Sequence, residues 1–189
     1  MRSPSSTAAT VYVSFTSKRD GAAVHYKHDG SRFAQPHTLK LQAGECYNVE
    51  LSVTGGSKPT IESAELSGRK LHLVKSRDYP RTFKAEWAAT YEHPTANGSR
   101  DMLLLSVKVS TSDGAKRAAL FPIQIKTYAP GSASYSSGLP LGQMHFDMDW
   151  SSALPASPTI RGDHPRFMRR TSGSSITSPS ASRDIASAA

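Results

Sequence analysis

Apolar residues fall at every second position through several long stretches: Val11, Val13 and Phe15; Tyr47, Val49, Leu51 and Val53; Phe83, Ala85, Trp87, Ala89 and Tyr91; Leu103, Leu105, Val107 and Val109. Phe121, Ile123 and Ile125 continue the series, and Met144, Phe146, Met148 and Trp150 close it. A strand sends successive side chains to opposite faces, so this period predicts strands with one apolar and one polar face. Half-buried strands of this kind usually belong to antiparallel sheets. Turn signals separate them at short intervals, at Asp20-Gly21, Asp29-Gly30, Gly55-Gly56, Ser67-Gly68, Asn97-Gly98 and Asp113-Gly114. No stretch carries helical periodicity with caps at both ends. The expected fold is all-β, an antiparallel β-sandwich or a flattened β-barrel.

Large apolar residues thin out after Trp150, where Ser, Ala, Pro and Thr take over. Such a composition buries too little surface to offset its ordering entropy. The sequence therefore predicts a flexible N-terminus at 1–10, one β-domain at 11–150 and a disordered Ser-rich tail at 151–189. The Gly- and Ser-rich stretch from Pro130 to Pro140 reads as a long loop before the last strand.

A formal net charge of +8 raises the question of an acidic partner, either nucleic acid or an anionic membrane face. The basic residues argue against nucleic acid: they alternate with acidic ones and cluster only as pairs, such as Lys18-Arg19 and Arg169-Arg170, with no nucleic-acid-binding motif around them. No apolar run has the length of a bilayer span, and residues 1–10 lack the apolar centre of a secretory signal. Cys46 is the only cysteine, which suits a reducing compartment. The expected location is the cytoplasm, with peripheral attachment at the plasma membrane.

Candidate chemistry is sparse. His145, Asp147 and Asp149 share one strand face and could in principle hold a divalent ion or act as acid and base. The simpler reading makes them the solvent face of the strand whose other face is Met144, Phe146 and Met148. Cys46 has no motif context, and neither a Gly-x-Ser-x-Gly elbow nor a Walker A loop is present. The sequence nominates no catalytic residue, no metal ligand and no cofactor. Ala85 and Ala89 flank Trp87 on an apolar face, a spacing that leaves room either for a guest or for bulky residues of the opposing sheet.

One segment is more specific. Tyr26-Lys27-His28-Asp29-Gly30-Ser31-Arg32-Phe33-Ala34-Gln35, followed by Thr38-Leu39-Lys40-Leu41, reads as strand, tight turn and strand. It resembles the signature of the cannabinoid-receptor-interacting protein 1 family. Tyr47-Asn48-Val49-Glu50-Leu51 and Ile123-Gln124-Ile125-Lys126-Thr127-Tyr128 resemble further strands of that family, and the likeness runs from about Val11 to Trp150. The resemblance implies a non-enzymatic β-sandwich adaptor that binds the intracellular C-terminal tail of a G-protein-coupled receptor and modulates its signalling. It also implies a fold similar to carriers of lipid-modified proteins such as the Rho GDP-dissociation inhibitor. A receptor tail could then add to a sheet edge, with Lys27, Arg32 and Lys40 as its polar contacts and Phe33 as an apolar anchor. The alternative is a carrier for a lipid or lipidated signalling protein, with a cavity lined by Trp87, Leu105 and Ile123. A third reading is a small hydrolase or metal-binding domain using His145 and Asp147. In the tail, Arg169-Arg170-Thr171-Ser172 has the form of a basophilic kinase site, with Ser172 the expected acceptor and Thr171 behind it.

Overall fold

The structure, a computed structural model, describes residues 8–56, 58–89, 91, 93–149 and 166–170. These form twelve strands and no helix: β1 (Ala8–Ser17), β2 (His25–His28), β3 (His37–Gln42), β4 (Cys46–Gly55), β5 (Thr60–Leu66), β6 (Arg69–Lys70), β7 (Val74–Lys75), β8 (Thr82–Ala88), β9 (Asp101–Ser110), β10 (Lys116–Tyr128), β11 (Leu139–Asp149) and β12 (Arg166–Arg169). Hydrogen bonds link them in the order β6-β5-β9-β10-β3-β2-β11-β1-β4-β8-β7, with β12 added on β11. The sheet curls into an open half-barrel.

The period-two residues set the register. Val11, Val13 and Phe15 of β1 lie opposite Val53, Leu51 and Val49 of β4, and Tyr47 and Val49 lie opposite Trp87 and Ala85 of β8. Across the curl, Leu103, Leu105 and Val107 of β9 face Ile123, Phe121 and Ala119 of β10. All of these side chains are buried and join one core cluster. Each fully buried Leu, Ile or Phe contributes about 1.5–3 kcal/mol through removal from water, so this shared interior holds the curl closed. Trp87 fits beside the small Ala85 with its ring edge-on to Phe15, centroids 6.2 Å apart, and tilted against Tyr47 at 6.0 Å.

Two features depart from the simple antiparallel picture. β3 and β10 run parallel, with Leu39 beside Ile125 and Leu41 beside Thr127. The link between β2 and β3 is also wider than a two-residue turn. Gly30 has the expected positive φ of 62°, yet the loop runs through Asp29–Pro36 and is closed by the Asp29 N–H donating to Pro36 O at 2.6 Å. The loop is held open by Asp29, tied to Arg100 just before β9, and by Gln35, tied to Pro122 and Gln124 of β10. Within the segment expected as a tail, Arg166–Arg169 forms β12 on β11; residues 150–165 and 171–189 lie outside the described residues.

Candidate functional site

The loop between β2 and β3 is anchored at both ends by buried polar side chains. At its start, the Asp29 carboxylate receives Arg100 Nε at 3.0 Å and Nη2 at 3.2 Å, Lys27 Nζ at 2.9 Å, and the Thr38 hydroxyl. The Asp29 and Arg100 side chains are each 7% exposed, so this is a buried ion pair with bidentate geometry. Burial alone would push the carboxyl pKa up. Hydrogen bonds from Arg100, Thr38 and Lys27 outweigh it and hold the group at about 2. At neutral pH it stays ionised.

At the loop's end, Gln35 and Gln124 clasp each other. The Gln35 N–H donates to Gln124 Oε1 at 3.1 Å, and the Gln124 N–H donates to Gln35 Oε1 at 3.0 Å. Gln124 Nε2 donates to Gln35 O at 3.0 Å and to Thr38 Oγ1 at 2.8 Å, while Gln35 Nε2 reaches Pro122 O at 2.8 Å. These bonds satisfy polar groups of a loop that lies across a strand, where an unpaired amide would be costly.

Between the anchors, Arg32 and Phe33 are displayed. Phe33 is half-buried under the Arg100 guanidinium, 4.1 Å from its ring centroid, with Arg32 at 5.3 Å. Arg32 is exposed. Beside Phe33 and Ala34 runs a shallow groove of about 320 Å³, bounded by Ser99, Arg100 and Met102. It opens onto the outer face of β9 and β10, where Met102, Leu104 and Leu120 are 39%, 40% and 43% exposed. Leu104 lies opposite Pro122 in the ladder, which makes the face continuous across both strands. Contiguous apolar surface of this kind marks interaction sites on soluble domains.

The other predicted residues are placed as follows. Lys27 is half-buried and paired with Asp29. Lys40 is 3% exposed, and its ammonium donates to Ser134 O at 2.7 Å, Ser137 O at 2.6 Å and Ser137 Oγ at 2.7 Å. Burial and then the neighbouring Lys27 charge lower its pKa, against an opposing pull from Asp29. Lys40 therefore ties down the loop before β11, while Arg32 and Phe33 face outward together. Trp87, Leu105 and Ile123 are buried in the core, and the Trp87 indole Nε1–H has no acceptor among the described residues. His145 packs edge-on to Tyr12 at 4.7 Å, and Asp147 accepts from Thr10 Oγ1 at 3.0 Å. Thr171 and Ser172 lie outside the described residues.

A larger depression of about 630 Å³ lies on the outer face of β1, β4 and β8, among Thr16, Asn48, Glu50, Lys84 and Glu86. Its charges are already matched, Lys84 with Glu50 at 3.8 Å and Glu86 with Lys18 at 2.5 Å, so it offers less to a partner than the apolar face. The sequence reading missed that face, although its signal is visible. Met102-Leu103-Leu104-Leu105 and Leu120-Phe121-Pro122-Ile123 are unbroken apolar runs in a chain that otherwise alternates. A paired run of that kind is apolar on both sides of the sheet.

Fold and surface together define a small all-β domain that displays an apolar sheet face beside an anchored loop. The sequence model of the family described as CB1 cannabinoid receptor-interacting protein 1 matches residues 5–152. This chain belongs to that family. It is similar to the proteins named CB1 cannabinoid receptor-interacting protein 1 from Bos taurus, 31% identical over 91 residues, and from Homo sapiens, 30% identical over 91 residues. Each match covers 44% of this chain and 53% of the relative, so the chain spans about half the length of the curated relatives it matches.

Proposed function

We propose that this protein is a non-enzymatic cytoplasmic adaptor that binds the intracellular C-terminal tail of a G-protein-coupled receptor and modulates its signalling. The relatives are named for interaction with the CB1 cannabinoid receptor, and family membership supports a partner of that kind. The observation that carries the reading is the outer face of β9 and β10, with Met102, Leu104 and Leu120 uncovered beside Phe33 and the exposed Arg32. An extended tail would lay apolar side chains on the face and place an acidic residue against Arg32. The test is fluorescence anisotropy with a labelled peptide of the CB1 receptor's intracellular tail. Leu104→Asp and Arg32→Glu, each with an unchanged melting temperature, should weaken binding at least tenfold. Equal binding by wild type and both variants would refute the assignment.

A second reading, a carrier for a lipid or a lipidated protein, is favoured by the buried Trp87 Nε1–H. An interior guest with an ester or amide oxygen would satisfy this donor. Organic extraction and mass spectrometry of the purified protein would then recover an acyl compound in near-stoichiometric amount, and Trp87→Phe would lose it. Extracts empty of such compounds would rule this reading out.

A further inference from the structure

β11 has two edges, and they are used differently. β1 and β12 both pair with Met144 and His145, so they lie on opposite edges. The peptide joining Pro140 to Leu141 fixes where β2 lies. Its N–H donates to Val24 O at 2.8 Å, while its carbonyl accepts from the Arg170 N–H at 3.0 Å. The two groups of one peptide point in opposite directions, so the lead-in to β2 shares the β1 edge. The second edge is met, among the described residues, by β12 and Arg170 alone.

β12 is a short cover for this edge. Its register sets Arg169 against Leu141, Met168 against Gln143, Phe167 against Met144 and Arg166 against His145, with an irregularity between Leu141 and Gln143. From Phe146 to Asp149 the same edge has no paired strand among the described residues. Met168 is 48% exposed and takes a weak side-chain contact, from Gln143 Nε2 to its sulfur at 3.8 Å. β12 also lies beyond residue 152, where the family match ends. A strand edge that is paired along only part of its length among the described residues is a template for strand addition.

We infer that the edge of β11 from Pro140 to Asp149 is a docking site for an extended peptide of another protein, and that β12 fills it in cis as a displaceable strand. The seated segment states the chemistry of the competing ligand: two adjacent apolar residues flanked by arginine, as in Arg166-Phe167-Met168-Arg169. The backbone ladder supplies affinity. The inference is independent of the β9–β10 face, which lies elsewhere on the sheet.

The test uses the full chain and a fluorescein-labelled peptide of residues 163–172. A strand tethered within the same chain competes at an effective concentration of about millimolar, so wild type should take up the peptide poorly. Met168→Pro removes a backbone donor and disrupts β12. It should raise peptide affinity at least tenfold, and hydrogen exchange across residues 141–148 should speed up without peptide and slow again with it. Three results would overturn the proposal. One is equal affinity for wild type and variant. Another is no binding by a Met168→Pro protein that keeps its cooperative melting. The last is a wild-type dimer by light scattering that Met168→Pro abolishes, which would place β12 on a second copy. Receptor-tail binding through Leu104 and Arg32 should be unchanged in Met168→Pro, so failure here is separable from failure of the adaptor reading.

Discussion

Asp29→Asn should turn a stabilising buried charge into a mismatch, and the cost follows from the geometry. In the fold the carboxyl titrates at about 2, against 3.8 for the free group. Each pH unit between those values is worth about 1.4 kcal/mol, so ionised Asp29 contributes about 2 kcal/mol at pH 7. Asn also points an amide donor at a guanidinium that has only donors, so 2 kcal/mol is a floor. Breaking one side of a buried pair typically costs about 3–5 kcal/mol. The pH dependence is the sharper signature. Between pH 4 and pH 2 the unfolded chain holds more proton at this residue than the fold does. Stability from Asp29 is therefore complete above about pH 4 and is lost as pH falls through 2. Urea unfolding followed by the fluorescence of buried Trp87 should show wild type ahead of the variant by at least 2 kcal/mol at pH 7. About 1 kcal/mol of that lead should be gone at pH 3. A lead of the same size at pH 7 and pH 3 would refute the claim that Arg100, Thr38 and Lys27 hold the charge.

Lys40→Met removes the ammonium from the Ser137 carbonyl and leaves Ser134 O with the Ser137 hydroxyl as donor; it should cost about 1–3 kcal/mol and speed limited proteolysis between Ala129 and Gly138, and unchanged cleavage would count against the tether. Gly138→Ala should destabilise by about 2 kcal/mol, because φ is +105° there and an added Cβ would sit 2.6 Å from Tyr26 O, a loss read from the urea midpoint. Gln124→Leu strips partners from Gln35 N–H, Gln35 C=O and Thr38 Oγ1, while its backbone N–H still reaches Gln35 Oε1; a loss of about 2–3 kcal/mol is expected, and a neutral result would mean the loop does not need the clasp. A basophilic kinase with ATP should place phosphate on Ser172 of the full chain, with Ser172→Ala removing most of it; label confined to other sites would refute the motif.

The strands were legible because side-chain alternation is a local property, and every inward residue of β1, β4, β9 and β10 named from the sequence is buried. The parallel pairing of β3 with β10 was not legible, since register between segments more than eighty residues apart is set by how the sheet curls. Nor was the Asp29 ion pair, whose guanidinium partner lies 71 residues further on. Lys40 sits in an alternating strand and reads as a solvent-facing cation, yet a loop about ninety residues away closes over it. Met102-Leu103-Leu104-Leu105 was read for one face only, because the period-two template counts the inward residues and passes over their neighbours. β12 was hidden by averaging: a Ser- and Pro-rich composition over 151–189 masks four residues able to pair.

The signature segment has a different job from the one its prominence suggests. Tyr26, Gln35, Thr38 and Lys40 are buried, and Asp29 and Gly30 set the course of the loop. Of the stretch that carries the family likeness, Arg32 alone among the cations has an exposed side chain without a carboxylate partner in the described structure. Similarity in this segment therefore reports that the loop is built, and through the loop the fold. Of the outward side chains of β9 and β10, Gln124 belongs to the clasp, and the apolar ones are under no such constraint. Met102, Leu104 and Leu120 stand outside the core cluster, and Met102 meets the clasp through its sulfur, a weak contact 4.0 Å from Gln35 Nε2, so these identities can change with little effect on the backbone that presents them. Partner choice on this scaffold is consequently separable from family membership. Two members with the same signature can display different faces, and the determinants to compare are those three side chains with Arg32, together with whatever occupies the second edge of β11.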